Sequence, residues 1–475
     1  MGSGQDKSGK AVFTQGSTMR HVLTMTGTGA VGLLSIFLVD VVNLFYISLL
    51  GEQELAAAIG YASTIMFFTI SISIGFSIAS TAITAKAIGA GDEDSARKNA
   101  GASLVFMLLM SLVLTAIMFP LLPVMLTILG AQGETHQLSL EFMQIVIVSF
   151  PLMGAGMCFS SLLRAKGDAK RAMYVTLSAG AAALVLDPLF IFGFGLGIHG
   201  AALATVFVRI VLLLVGIHGC FVVHKMVGKP EFSWMMKTIR PFLIIAVPAV
   251  LTQIATPIGN AYVTAAIAEF GDDAVAGWAI VGRLMPLAFA GVFALSGAVG
   301  PILSQNLGAR QFARVNQAMW DSLIFTFFYS VVMWGLLALL WQPIAVMFSA
   351  ENDSLALIRF FCLFVAGSFI FNGALFVANA AFNNLGFPIY STFFNWGRAT
   401  LGVIPFVWVG KSWGPEGVLA GWGLGGIVFG IVSVLVCFRE IKKLPAKVSA
   451  ETDTMPTVPT SNSPFTSGRG ASAWK

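Results

Sequence analysis

The sequence predicts an all-α integral membrane protein, with twelve transmembrane helices in two six-helix lobes related by a parallel internal repeat. Three observations predict it. Of the 475 residues, 57% are hydrophobic and 10% charged, against roughly 25% charged in an average soluble domain. The apolar residues fall in long uncharged runs, each able to cross a hydrocarbon core about 30 Å thick at roughly 1.5 Å per residue. Segments of the first half also recur in the second, in the same order.

The first run, 20–50, lacks a small-residue cleavage pattern and is followed by eleven more, so it reads as a span and not a signal peptide. Spans at 55–86, 100–128, 138–163, 172–194 and 199–224 complete a first lobe, 20–224. Residues 225–240, KMVGKPEFSWMMKTIR, read as a cytoplasmic linker and hinge. The second lobe, 241–440, holds spans at 241–268, 274–304, 317–348, 354–382, 388–410 and 415–438. Residues 1–19 form a short cytoplasmic segment whose first dozen residues lack apolar periodicity. The tail, 441–475, becomes rich in Ser, Thr, Pro and Gly after Lys447 and is expected to be disordered, because it cannot bury enough surface to fold.

The repeat is legible in paired landmarks. Gly51 pairs with Gly271 at an offset of 220, Arg164-x-x-Gly167 with Asn383-x-x-Gly386 at 219, and Pro188 and Gly200 with Pro405 and Gly417 at 217. Six spans return the chain to its starting side, so the halves share one orientation and enclose a site between them near the midplane.

Charge sets the orientation. The connections after spans two, four, six and eight are basic, with Arg97, Lys98, Arg164, Lys166, Lys170, Arg171, Lys225, Lys229, Lys237, Arg240, Arg310 and Arg314. The alternate connections are acidic, with Glu52, Glu54, Glu134, Glu269, Asp272, Asp273, Glu351, Asp353 and Glu416, and only Lys411 of opposite sign. The positive-inside rule then places both termini in the cytoplasm of a multi-pass cell-membrane protein. The net charge of +5 follows from this bias and needs no nucleic-acid partner. Cys158, Cys220, Cys362 and Cys437 sit in apolar runs at unrelated spacings, as small core residues rather than metal ligands or disulfides.

Asp40 and Asp187 are the candidate chemistry. Each lies deep in an apolar span, and the matching segment of the second half has no acid. An intramembrane carboxyl marks an ion pathway or proton relay by default. Removal from water disfavours its charged form, so it can load and release a proton near neutral pH. Asn43 shares a helix face with Asp40, Pro188 should kink the helix beside Asp187, and Thr205 adds a hydroxyl in the same lobe. Arg209, Arg283 and Arg398 also fall inside spans. They can pair with acids, bind backbone carbonyls at a kink, or meet an anionic substrate; structural charge pairing is the expectation for Arg209. Tyr61, Met66, Phe67, Phe68, Met285, Phe289 and Phe293 lie on the repeat-related spans two and eight and offer a Met and aromatic surface, which also suits core or lipid. Asn260 and Asn372 complete the candidate substrate-facing set. There is no phosphate-binding loop for ATP, no metal-ligand spacing, no cofactor motif and no nucleophilic constellation, so no enzyme is expected.

The Asp40 stretch leading to LGEQELAA, GAGDEDSARKNAG, LLRAKGDAK and LDPLFIFGFGLGIHGAALAT resemble the multidrug and toxic compound extrusion (MATE) family over roughly 20–440, most closely the branch named for the DNA-damage-inducible protein F. The resemblance implies a proton-coupling network of Asp40, Asp187 and Thr205 in the N-terminal lobe. Two departures stand out. Ala183 replaces an Asn common in that branch, and Thr256 and Asn372 stand where the sodium-coupled branch carries acids. The implied function is proton antiport of organic cations and drugs by a monomer that alternates access between lobes. Export of organic anions and flipping of a lipid-linked precursor are the alternatives.

Overall fold

The computed structural model describes residues 11–48 and 53–453, and these contain helices and no strand. The side chains of Asp40 and Asn43 lie outside the described residues. The spans of the first lobe are α1 (Thr18–Ser48), α2 (Gln53–Gly89), α3 (Glu93–Ile128), the pair α4 (Gly133–Val148) and α5 (Phe150–Lys166), α6 (Ala169–Pro188) and α7 (Gly197–Ile217). Those of the second are α8 (Phe232–Ala268), the pair α9 (Asp272–Ala288) and α10 (Ala290–Gly308), α11 (Phe312–Met347), α12 (Asn352–Leu363) with α13 (Phe369–Asn384), α14 (Pro388–Ala399) with α15 (Ile404–Gly410), and α16 (Gly414–Asp453).

Local chemistry starts and breaks these helices. The carboxylates of Asp92 and Asp168 accept the Ser95 and Arg171 amides at 2.9 and 3.0 Å, capping α3 and α6. Glu351 and Ser354 form a capping box on α12. The α4–α5 pair bends by 50° at Ser149, where Pro151 has no amide to donate to the Ile147 carbonyl, and Thr115 Oγ1 takes that carbonyl at 3.3 Å. The α9–α10 pair bends by 49° just after Pro286.

Packing reproduces the repeat. Helix α1 packs on α10 and α2 on α8, which is one relationship seen twice when each lobe is mapped on the other. Within lobes, α1 packs on α6 as α8 packs on α14. All four cysteines are buried and free.

Two boundaries differ from expectation. Helix α8 begins at Phe232, so the irregular inter-lobe link is 224–231 and not 225–240. Helix α16 continues to Asp453, because Ile441 and Leu444 fall on one face and are buried in the core that contains Phe13, so the tail does not begin at 441. Residues 454–475 lie outside the described residues. Residues 11–17 are docked: Val12–Thr14 form a 3-10 turn with Phe13 buried.

Candidate functional site

Helices α1 and α6 run parallel and touch closely. A β-carbon on Gly180 would lie 2.4 Å from Ser35 Oγ, and one on Gly32 would lie 2.4 Å from Thr176 Oγ1. Small residues therefore set the register, with Gly180 level with the turn from Ser35 to Val39. Asp187 is seven residues beyond Gly180, and the Asp40 backbone is about three beyond the middle of that turn, so the two lie within about 6 Å of one level. The Asp187 side chain is buried. Just beyond it, Pro188 ends regular α-helix and Leu189–Gly193 form a π-helical turn, a distortion common at functional sites. Tyr46 of α1 meets Phe192 of that turn edge-on at 6.2 Å. Thr205 is half-buried and donates to its own helix at Ala201 O, 3.0 Å.

The arginines separate by environment. Arg209 is buried, and its Nη1 donates to Val146 O at 2.7 Å and Ser149 Oγ at 2.8 Å. In place of the expected charge pair, it adds a charged donor to the carbonyl released at the α4–α5 break, which the Ser149 hydroxyl and amide also reach at 2.7 and 3.1 Å. Arg398 is buried on α14 and donates to Thr256 Oγ1 of α8 at 2.9 Å. A fixed positive charge thus stands beside Thr256 in the second lobe. Arg283 is exposed.

The exposure of Arg283 follows from how the lobes part. At the end of the basic connections they touch: a β-carbon on Gly89 would lie 2.0 Å from Gln305 O, and one on Gly75 would lie 2.4 Å from Val250. On α2 the same face continues from Gly75 and Gly89 through Phe68, Thr64, Gly60 and Ala57, at steps of three, four or seven residues. There it is exposed, so toward the acidic connections the lobes diverge and leave a cleft. Helix α9 presents the matching stripe, with Ala276, Ala279, Gly282, Arg283 and Leu287 exposed at an offset of 219. Small residues dominate both stripes, whereas the outward face of α3 carries Leu109, Leu112, Val113 and Ile117. Arg283 therefore occupies the place of Thr64.

Several expected cleft residues lie elsewhere. Tyr61 and Met66 pack against the N-terminal core, Met66 also receiving Arg209 Nη2 at 3.9 Å. Met285 and Phe289 are buried in the second lobe, Phe289 stacked on Phe369 at 3.9 Å, and Phe293 meets Phe376 at 5.5 Å. Met285 lies on the face of α9 opposite Arg283, and Phe289 lies at the α9–α10 bend. Phe67 and Phe68 remain on the cleft wall, 42% and 40% exposed. Asn260 is half-buried, and Asn372 is buried with Nδ2 on Ser368 O at 3.5 Å.

Two features escaped sequence reasoning. Asp321, in RVNQAMWDSLIFTFF on α11, is buried and accepts a hydrogen bond from Thr18 Oγ1. Its signal was the same as that of Asp40, an acid in an apolar run, and it breaks the expectation that buried acids belong to the first lobe alone. A polar cavity of about 70 Å³ in the second lobe is lined by Thr252, Gln253, Thr256, Asn379, Asn383 and Asn395 among others. Its signal was the run VANAAFNNLG.

The family model MatE matches residues 30–189 and 248–409, one block in each lobe. The chain belongs to the MatE family. This MATE protein is 28% identical over 440 residues to the FAD transporter of Shewanella oneidensis, covering 91% of this chain and 96% of that one. It is 24% identical over 290 residues to the multidrug export protein MepA of Staphylococcus aureus, 59% of this chain and 63% of that one. Among solved structures, the Vibrio cholerae MATE transporter VcmN superposes with a TM-score of 0.85 at 24% identity, covering 90% and 97% of the two chains. A multidrug resistance MATE transporter described as outward-facing superposes at 0.86 and 21% identity, covering 94% and 100%. The twelve-helix, two-lobe fold of a multi-pass membrane transporter for small molecules is thereby established.

Proposed function

We propose that this MATE transporter is a proton-coupled exporter that alternates access between its two lobes. One observation carries the reading: buried Asp187 on α6 and the Asp40 backbone on α1 lie within about a helical turn of the same level on two packed helices, while their repeat counterparts are Ile404 and Asn260. A carboxyl out of water exchanges protons, whereas Ile404 and Asn260 cannot. Coupling by sodium in the second lobe is disfavoured by the same geometry. Thr256 and Asn372 are neutral, and the Arg398 guanidinium already sits on Thr256. Asp40, Asp187, Thr205 and Asn43 form the proposed coupling set. The reading includes a monomer in the cell membrane with both termini cytoplasmic, as the loop charges imply.

The substrate expected from the family resemblance is a lipophilic organic cation. The relative named as an FAD transporter, matched along nearly its whole length, favours a second reading in which organic anions are exported. The test is uptake into inverted vesicles under an imposed proton gradient. Substrate moved against its own gradient, stopped by an uncoupler, supports antiport; movement indifferent to the proton gradient excludes it.

A further inference from the structure

Arg283 departs from the symmetry of the cleft. The α2 and α9 stripes repeat one another in burial almost residue for residue, and every other matched pair is small or apolar: Ala57 with Ala276, Gly60 with Ala279, Ser63 with Gly282, Phe68 with Leu287. Only at Thr64 and Arg283 does a charge enter. Among the described residues Arg283 makes no hydrogen bond or ion pair, while Arg209 and Arg398 are both buried and bonded. The acid nearest to it along α9 is Asp273, ten residues and about 15 Å away. A guanidinium without a partner, on a wall of small residues that faces the pseudo-twofold axis, is costly for a bilayer-embedded protein unless a ligand or water meets it. One turn deeper, Leu287 on its own helix and Phe67 and Phe68 across the axis present exposed apolar surface.

We infer that Arg283 anchors an anionic group of the substrate, so that the cleft takes amphipathic organic anions. A flat ring system lies against Phe67, Phe68 and Leu287, and a phosphate or carboxylate takes the planar donor fork of the guanidinium. The inference rests on the exporter reading and specifies its substrate class. Arg283 faces the cleft only while the lobes are apart at the acidic end, so the anion would be released from, and not captured by, this conformation.

The test compares flavin mononucleotide with riboflavin, which share one ring and differ by a phosphate, binding to the purified full-length protein by fluorescence quenching. The wild type should bind the phosphorylated probe at least about tenfold more tightly. Arg283→Thr, which restores the residue of the matched stripe, should bring that ratio to about one, and Arg283→Lys should retain part of it. No phosphate preference in the wild type, or a preference that survives Arg283→Thr, overturns the inference. Proton-driven movement of flavin mononucleotide or of ethidium by the wild type, reconstituted in proteoliposomes, tests the exporter reading separately. Ethidium export together with an unchanged ratio in Arg283→Thr would sink the anion site and leave antiport standing.

Discussion

The Phe13 amide donates to Gln305 Oε1 at 3.0 Å, and Gln305 Nε2 donates in turn to the Ala165 carbonyl at 2.7 Å. One side-chain amide thus ties three segments: the N-terminal 3-10 turn, the end of α10 in the second lobe, and the end of α5 in the first. Asn306 and Arg314 reinforce it by donating to Phe13 O at 3.2 and 2.9 Å. This cluster closes the end at which the lobes meet. For the opposite end to close and this one to open, it must come apart.

Gln305→Ala should therefore loosen the closed end. Losing both bonds leaves buried partners unsatisfied at about 1–3 kcal/mol each. Hydrogen exchange at 303–308 and 163–167 should accelerate by roughly thirtyfold or more. Unchanged protection would mean that the lobes are held by backbone packing such as Gly89 on Gln305, and not by the amide.

Arg209→Ala should destabilise the first lobe. It removes the charged donor from Val146 O and from Ser149 Oγ at the helix break and leaves that carbonyl to Ser149 alone. Hydrogen bonds to a charged group contribute about 1.5–3 kcal/mol. A fall of several degrees in thermal midpoint is expected, with no change in the ion that drives transport. A variant as stable as the wild type would show that the break needs no cap.

Acid should weaken the basic end through Asp168. Burial works against its charge, but the His224 ring at 2.8 Å, the Arg171 amide and the Arg171 guanidinium outweigh that and hold the carboxyl well below the usual range. A carboxyl lowered on folding stabilises above its unfolded pKa of about 3.9, and that stabilisation is lost as the pH falls below it. Thermal midpoints measured from about pH 6 down to about pH 3 should fall for the wild type and less steeply for Asp168→Asn. Parallel curves would remove Asp168 from the account.

The two lobes and the pairing of the repeat were readable because bilayer thickness and apolar run length impose them directly, whereas the ends of the second lobe were set by packing that run length does not show. Which face of each helix meets the cleft was not. Met285 and Phe289 share an apolar span with Arg283, but Met285 lies about 200° around α9 from it, on the buried face, and Phe289 sits at the bend that follows, while Arg283 stays exposed. Arg209 read as half of an ion pair because sequence shows a charge but not the carbonyl that a break 60 residues earlier sets free. The Phe13 latch was hidden by distance, since its partner Gln305 is 292 residues away. Asp321 was readable by the rule that found Asp187, but lay close to a predicted span end.

Sodium should be dispensable. Arg398 is hydrogen-bonded to Thr256 in the lobe where a metal cation would need acids, and a fixed guanidinium opposes a second positive charge. Replacing sodium by potassium at constant pH should leave transport rates unchanged, and Arg398→Ala should not create a sodium requirement. Strict dependence on sodium would move the ion to Asp40 and Asp187 as ligands.

The central claim is that a carboxyl on α6 carries the proton, and the direct measurement is proton-driven export by Asp187→Asn in proteoliposomes. The side chain is nearly isosteric and cannot ionise, so the variant should fold, insert and bind substrate. Imposing a proton gradient should then drive no accumulation, while substrate still equilibrates down its own gradient. Accumulation at the wild-type rate by Asp187→Asn would contradict the claim and make Asp187 a structural acid.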